Sequence, residues 1–167
     1  TKRRTLSRII RSSSVRSDSG GGTSGIGQAT ALKIAEAGSA KAVIVCGRDQ
    51  EKIDETLKLA KKRGVKIVAY SADVSDEVGC AEFAKKLHEN HGGVDILVNN
   101  AGRSIRRALE HSYDRFHDFE RTMQVNYFGA LRITMALLPH MSAQKRGHVI
   151  NISSIGVLTN APRFSAY

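Results

Sequence analysis

After Gly20 the hydrophobic positions fall into two alternating periods, one helical and one of short continuous apolar runs. GIGQATALKIAEAG, residues 25–38, sets Ala31, Ile34 and Ala35 at helical spacing, with Gly38 as the stop. KAVIVC (41–46) is a nearly unbroken apolar run, the pattern of a strand buried on both faces of a parallel sheet. Residues 49–63 return to the helical period with Ile53, Leu57 and Ala60 on one face, and VKIVAY (65–70) is a strand. Residues 75–91 form a helix with Cys80, Ala84 and Leu87 inward, closing at Gly92 and Gly93. VDILVNN (94–100) is again a strand, a helical stretch runs from about Ser112 to Met141, and GHVINISS (147–154) is the last strand.

Strands alternating with helices at this spacing mean βαβ units joined by right-handed crossovers. The expected fold class is therefore α/β, a Rossmann-like doubly wound parallel sheet. Residues 1–19, TKRRTLSRIIRSSSVRSDS, are rich in Ser and Arg with little apolar periodicity, which predicts disorder. The chain thus divides into a basic segment, 1–19, and a partial nucleotide-binding domain, 20–167. RSSSVRSDS (11–19) contains one valine and cannot form a buried central strand, and LSRII lies too far upstream of Gly21. The first strand is therefore unrecognisable.

Composition narrows the picture. At 167 residues, 41% hydrophobic and 25% charged, the chain suits one soluble domain with a real core. No apolar run approaches the ~18 residues of a membrane span, although peripheral membrane contact stays open. Lys2, Arg3, Arg4, Arg8, Arg11 and Arg16 account for six of the ten net positive charges, so no basic nucleic-acid face is implied for the rest. Such a start fits an organelle transit peptide or any basic tail, and without an opening methionine it is not read as a true N-terminus. Cys46 and Cys80 show no metal or disulfide spacing, which points to a reducing compartment, the cytoplasm. His111, Asp114, His117 and Asp118 contain i, i+3 spacings, but nothing completes a coordination shell; salt bridges rather than a metal are expected.

Three motifs carry the chemistry. GGTSGIG (21–27) puts glycines ahead of a helix, where the backbone can approach a pyrophosphate seated at the positive helix end. NNAG (99–102) directly follows the strand DILV and so lies at the carboxyl edge of the sheet, where open α/β folds bind ligands. Ser154 ends the final strand, and Tyr167 follows thirteen positions later.

Together these motifs, from about Gly20 to Tyr167, resemble the classical short-chain dehydrogenase/reductase family. The resemblance assigns Gly21, Ser24, Gly25, Ile26 and Gly27 to the pyrophosphate loop and Asp73 to an adenine contact. It assigns Asn99, Ala101 and Gly102 to the ribose side of the cofactor. Asn126, in VNYFG, matches the family's catalytic asparagine, Ser154 the serine that hydrogen-bonds the substrate carbonyl, and Tyr167 the proton donor. The family's lysine, four positions after the tyrosine, falls past the last residue of this sequence. Arg48 follows the second strand in VCGRD, where NAD enzymes present a carboxylate to the ribose; a planar cation there favours NADP(H).

RSIRR after NNAG, and DRFHDFERTM on the long helix, are similar to bacterial fatty acyl-CoA reductases built on a short-chain dehydrogenase domain. That likeness implies NADPH-dependent reduction of an acyl-CoA to a fatty aldehyde, with Arg103, Arg106 and Arg107 available to CoA phosphates. It also implies a homo-oligomeric parent protein. A ketone or alcohol dehydrogenase, and a non-catalytic fragment acting through its basic tail, are the rival readings.

Overall fold

A computed structural model describes the backbone of residues 7–12, and residues 23, 25–159 and 162–167 in full. Its centre is a five-stranded, all-parallel sheet of order β3-β2-β1-β4-β5. The strands are β1 (Ser7–Ser12), β2 (Ala40–Gly47), β3 (Val68–Ser71), β4 (Ile96–Asn99) and β5 (His148–Asn151). The helices are α1 (Gly25–Glu36), α2 (Gln50–Lys62), α3 (Glu77–His91), α4 (Phe116–Met123), α5 (Ala130–Ala143) and the single turn α6 (Gly156–Thr159). The order reverses direction after β1, which is the doubly wound arrangement, with a crevice at the carboxyl ends of β1 and β4.

β2 shows why the sheet is stable. Val43 and Val45 face α1 and α2, packing with Ala31, Leu32, Ala60 and Ile67. Ile44 and Cys46 face the opposite side, joining Phe83, Leu87, Leu97, Ile133 and Leu137 from α3, β4 and α5. A strand sandwiched in this way needs an apolar residue at every position, and each large side chain so buried contributes roughly 1.5–3 kcal/mol. Cys46 and Cys80 are buried in this core, and burial pushes the Cys80 thiol up to about 11.

Helix ends follow local chemistry. Asp49 caps α2 by accepting from the Glu51 and Lys52 amides, and Asp76 caps α3 by accepting from Gly79. Gly92, at φ 64°, closes α3 in the left-handed conformation, its N–H donating to the His88 carbonyl at 2.9 Å.

The structure corrects the expected first strand. Residues 7–12, inside the segment predicted to be disordered, form β1 and take the centre of the sheet. Ile9 is in register with Val43 and Ile96, and Ile10 with Ile44 and Leu97. The ladder is built entirely from neighbours distant in sequence, so local composition did not reveal it. Residues 1–6 and 13–19 lie outside the described residues. The other strands occupy the expected places: β2 extends one residue beyond the expected run at each end, β3 starts later and ends one residue later, and β4 and β5 are shorter than expected.

Two smaller expectations change. Thr56, not Leu57, is the buried centre of α2; its hydroxyl donates to the Lys52 carbonyl at 2.8 Å and accepts from Gln28 at 2.8 Å. The predicted helix from Ser112 to Met141 starts later, at Phe116, after a 3-10 turn at Leu109–His111, and a π-helical turn at Gln124–Gly129 interrupts it. Gly129 ends that turn because a Cβ there would lie 2.6 Å from the Val74 carbonyl oxygen.

Candidate active site

The polar side chains that matter gather at the carboxyl edge of the sheet, in two groups flanking β1. On the β2–β3 flank, Arg48 leaves β2 and Asp73 leaves β3. Arg48 Nη1 donates to Asp73 Oδ2 at 3.2 Å, and Asp73 Oδ1 accepts from the Ser75 amide at 2.9 Å and the Ser75 hydroxyl at 2.7 Å. Partial burial pushes the Asp73 carboxyl up, but the Ser75 hydrogen bonds and the Arg48 guanidinium outweigh it and hold it below the usual carboxylate range. Nearby, Gly25 opens α1 at φ 53°, a left-handed conformation natural to glycine, and Ile26 projects into solvent while Gly27 is buried. Gly21 and Ser24 lie outside the described residues.

On the β4–β5 flank the register sets Asn99 beside Asn151. Asn99 Nδ2 donates to Asn151 Oδ1 at 2.8 Å and to Thr134 Oγ1 on α5 at 3.0 Å. Its oxygen is buried with no hydrogen-bond partner. Asn126 sits in the π-helical turn and clamps the loop that leaves Gly102: Oδ1 accepts from the Arg103 amide at 2.7 Å, and Nδ2 donates to the Arg103 carbonyl at 2.9 Å. Asn99, Ala101, Asn126, Thr134 and Asn151 line one cavity of about 360 Å³. Gly102 is half-buried beside it.

Ser154 and Tyr167 come together across Gly156. A Cβ at Gly156 would lie 3.3 Å from Ser154 Oγ and 3.3 Å from Tyr167 Cε1. The Gly156 amide donates to Ser154 Oγ at 3.1 Å, and the Tyr167 amide donates to the Phe164 carbonyl at 3.0 Å. Tyr167 is 42% exposed, so its ring is open to an incoming molecule. The Ser154 hydroxyl and the edge of the Tyr167 ring thus border the same glycine.

The motif reading did not single out Thr134 or Asn151. Asn151 carried a signal, a polar residue closing an apolar strand at the register position of Asn99. Asp118 belongs to the acid and histidine group expected to form salt bridges on a solvated helix face; it forms them, but from a buried position in the first turn of α4. It accepts from Arg115 Nε at 2.8 Å and lies 3.4 Å from His117 Nε2 and 3.6 Å from Arg107 Nε. The Arg115 hydrogen bond holds its carboxyl below the usual range.

Sheet order, glycine-headed first helix and polar carboxyl edge define a Rossmann-type α/β protein with its working groups beyond β4 and β5. The chain belongs to the short-chain dehydrogenase family, an oxidoreductase family whose model matches residues 20–167. It is 49% identical over 147 residues to a fatty acyl-CoA reductase of Acinetobacter baylyi, covering 88% of this chain and 49% of that enzyme. An uncharacterized oxidoreductase of Mycobacterium tuberculosis is 47% identical over 150 residues, covering 88% of this chain and 43% of that protein. The crystal structure of a metagenomic short-chain oxidoreductase in complex with NADP superposes with a TM-score of 0.83 at 28% identity, over 96% of this chain and 68% of that one. The chain spans about half the length of these sequence relatives.

Proposed function

We propose that the chain is the cofactor-binding part of a cytoplasmic, NADPH-dependent reductase that converts a fatty acyl-CoA to a fatty aldehyde. The meeting of Ser154 and Tyr167 at Gly156 carries the reaction class. The likeness to the Acinetobacter fatty acyl-CoA reductase supports the substrate.

The residues present suit a nicotinamide dinucleotide. The orphaned Asn99 oxygen at the end of β4 calls for a donor such as a ribose hydroxyl. Gly25, Ile26 and Gly27 at the head of α1, with Gly21 and Ser24 upstream, would hold the pyrophosphate. Asp73 would meet the adenine, and Ala101 and Gly102 would line the ribose side with Asn99. Arg48 retains donors beyond its bond to Asp73 and would take a 2′-phosphate. When bound, the dinucleotide supplies the hydride.

The chain's own groups do the rest. As a C–H bond forms at the thioester carbonyl carbon, the oxygen becomes an anion. Ser154 Oγ–H and Tyr167 Oη–H donate to it, and Tyr167 passes its proton to give a neutral hemithioacetal. Return of that proton to the tyrosinate accompanies cleavage of the C–S bond, releasing aldehyde and CoA thiolate. Asn126 serves by fixing the loop after Gly102 through its paired bonds to Arg103.

The test is a titration of the 167-residue chain with NADPH, followed by nicotinamide fluorescence, then NADPH oxidation with a long-chain acyl-CoA and with simple ketones. Saturable binding with preference for the acyl-CoA is expected. Oxidation driven by ketones alone would make the chain part of a ketone or alcohol dehydrogenase. Absent NADPH binding, with salt-sensitive binding to anionic lipid or polymer, would reduce it to a non-catalytic fragment.

A further inference from the structure

A second cavity, of about 490 Å³, opens beside the candidate active site. Arg106, Arg107, His111 and Arg163 line it, with Glu110 as its one acid among the described residues. Sequence proximity grouped Arg103 with Arg106 and Arg107; in the structure Arg163, from the far side of the Ser154–Tyr167 segment, takes that place. Arg107 is partly answered by the buried Asp118, 3.6 Å away. Arg106 and Arg163 are both exposed, and no carboxylate stands within 4.0 Å of either among the described residues. Two uncompensated guanidiniums facing one hollow form a site for a polyanion, because each offers several donors in a planar fork suited to phosphate.

The backbone holds this arrangement in place. Arg163 has φ 69°, in the left-handed region that L side chains rarely adopt. The Arg107 amide donates to the Arg163 carbonyl at 2.7 Å, and Arg107 pairs with Phe164 in a parallel bridge. Phe164 in turn packs its ring 5.7 Å from that of Tyr167. The cation-lined wall and the tyrosine therefore share one short turn, so an anion seated in the cavity lies against the segment that carries the reacting hydroxyl.

We propose that this cavity docks the phosphate-bearing end of a coenzyme A thioester, with Arg106 and Arg163 as the principal phosphate ligands. The proposal rests on the acyl-CoA reading above. It adds where the carrier is gripped and how that grip is coupled to the position of Tyr167.

The test is calorimetric titration of the 167-residue chain and of its Arg106→Ala/Arg163→Ala double variant with coenzyme A, pantetheine and NADPH. Coenzyme A should bind the parent chain more tightly than pantetheine does, and less tightly as salt rises. The double variant should lose about 10- to 100-fold in coenzyme A affinity, the loss of charge-assisted hydrogen bonds. Pantetheine and NADPH affinities should stay within about 2-fold, the latter reporting an intact fold. Arg106→Glu, a change at an exposed side chain, should reproduce much of the loss without touching the Arg163 turn. Equal coenzyme A affinity in parent and variants would overturn the proposal, as would coenzyme A binding no tighter than pantetheine. If acyl-CoA is reduced with an unchanged KM in the variants, this site fails and the acyl-CoA reading stands. If the variants lose coenzyme A affinity but acyl-CoA is not reduced, the site stands and the assigned reaction fails.

Discussion

The two flanks of β1 are built in opposite ways. On the β2–β3 side the polar groups are already matched: Arg48 holds Asp73, and Ser75 occupies the other carboxylate oxygen twice. On the β4–β5 side hydrogen-bonding capacity is left open. The Asn99 oxygen is buried without a partner, Tyr167 is half-exposed, and two hollows border the segment between them. Packing runs instead from centre to edge: β2 is buried from Val43 to Gly47 and β4 from Leu97 to Asn99, while neither edge strand, β3 or β5, carries a buried residue. A pre-paired flank suits recognition of a fixed group. An open flank suits chemistry, because donors not already spent can follow charge as it develops.

The sharpest way to break this comparison is Tyr167→Phe, which removes one hydroxyl and leaves the ring against Phe164. If the open flank performs the chemistry, the rate of NADPH oxidation with acyl-CoA falls by about 10²- to 10⁴-fold, the range for a general acid. NADPH affinity should stay within about 2-fold, because Tyr167 is not among the groups proposed to hold the dinucleotide. Weakened NADPH binding instead would mean that the flanks do not work separately.

The contrast between centre and edge predicts a smaller but still large effect. Leu137, buried on α5 against α3 and β4, should cost about 2–5 kcal/mol of unfolding free energy when cut to Ala. Ile150 on β5 is 38% exposed, and its Ala variant should cost less than about 1 kcal/mol by urea denaturation. Equal costs would show that β5 is packed as firmly as the core.

How much of this was legible before the structure depends on whether the determinant is local. β2 announces itself through its apolar run, and α2 and α3 through the Asp and Gly residues at their ends, because those signals lie within one element. β1 stays hidden since two isoleucines among Ser and Arg become a central strand only by pairing with β2 and β4. The π-helical turn is invisible for a related reason: it barely disturbs helical periodicity, yet it places Asn126 against Arg103. Candidate site residues inside recognisable motifs, such as Asn99, Ser154 and Tyr167, could be proposed from the sequence. Their partners could not. Arg48 meets Asp73 across 25 positions, and Arg163 reaches the cavity of Arg106 through a left-handed turn that its residue type does not favour.

The pre-paired flank can be sharpened through Arg48→Ala. Removing the guanidinium should weaken NADPH by about 10- to 100-fold, as expected for lost charge-assisted hydrogen bonds to a phosphate. NADH, lacking that phosphate, should change by less than about 2-fold in the same fluorescence titration. A parallel loss for both cofactors would mean that Arg48 acts by holding Asp73 rather than by meeting the phosphate.

The smallest effect separates those two roles by pH. The Asp73 carboxyl is held below its ordinary value in the folded chain, so the unfolded chain takes up its proton at higher pH than the folded one does. Its stabilising contribution is therefore complete above the unfolded value of ~3.9 and is lost as pH falls through the lower folded value. Because the pair is partly exposed, with side chains at 37% and 34% accessibility, solvent screening keeps that contribution under about 1 kcal/mol. Urea midpoints of the parent chain and Asp73→Asn should differ by a constant gap down to about pH 4, the variant lying lower, and the gap should narrow below that and close only beneath the folded value. A gap that does not narrow as pH falls below about 4 would mean that Asp73 stabilises the turn through the shape of its Ser75 hydrogen bonds rather than through its charge. Arg48 would then be free to meet a phosphate without weakening the fold.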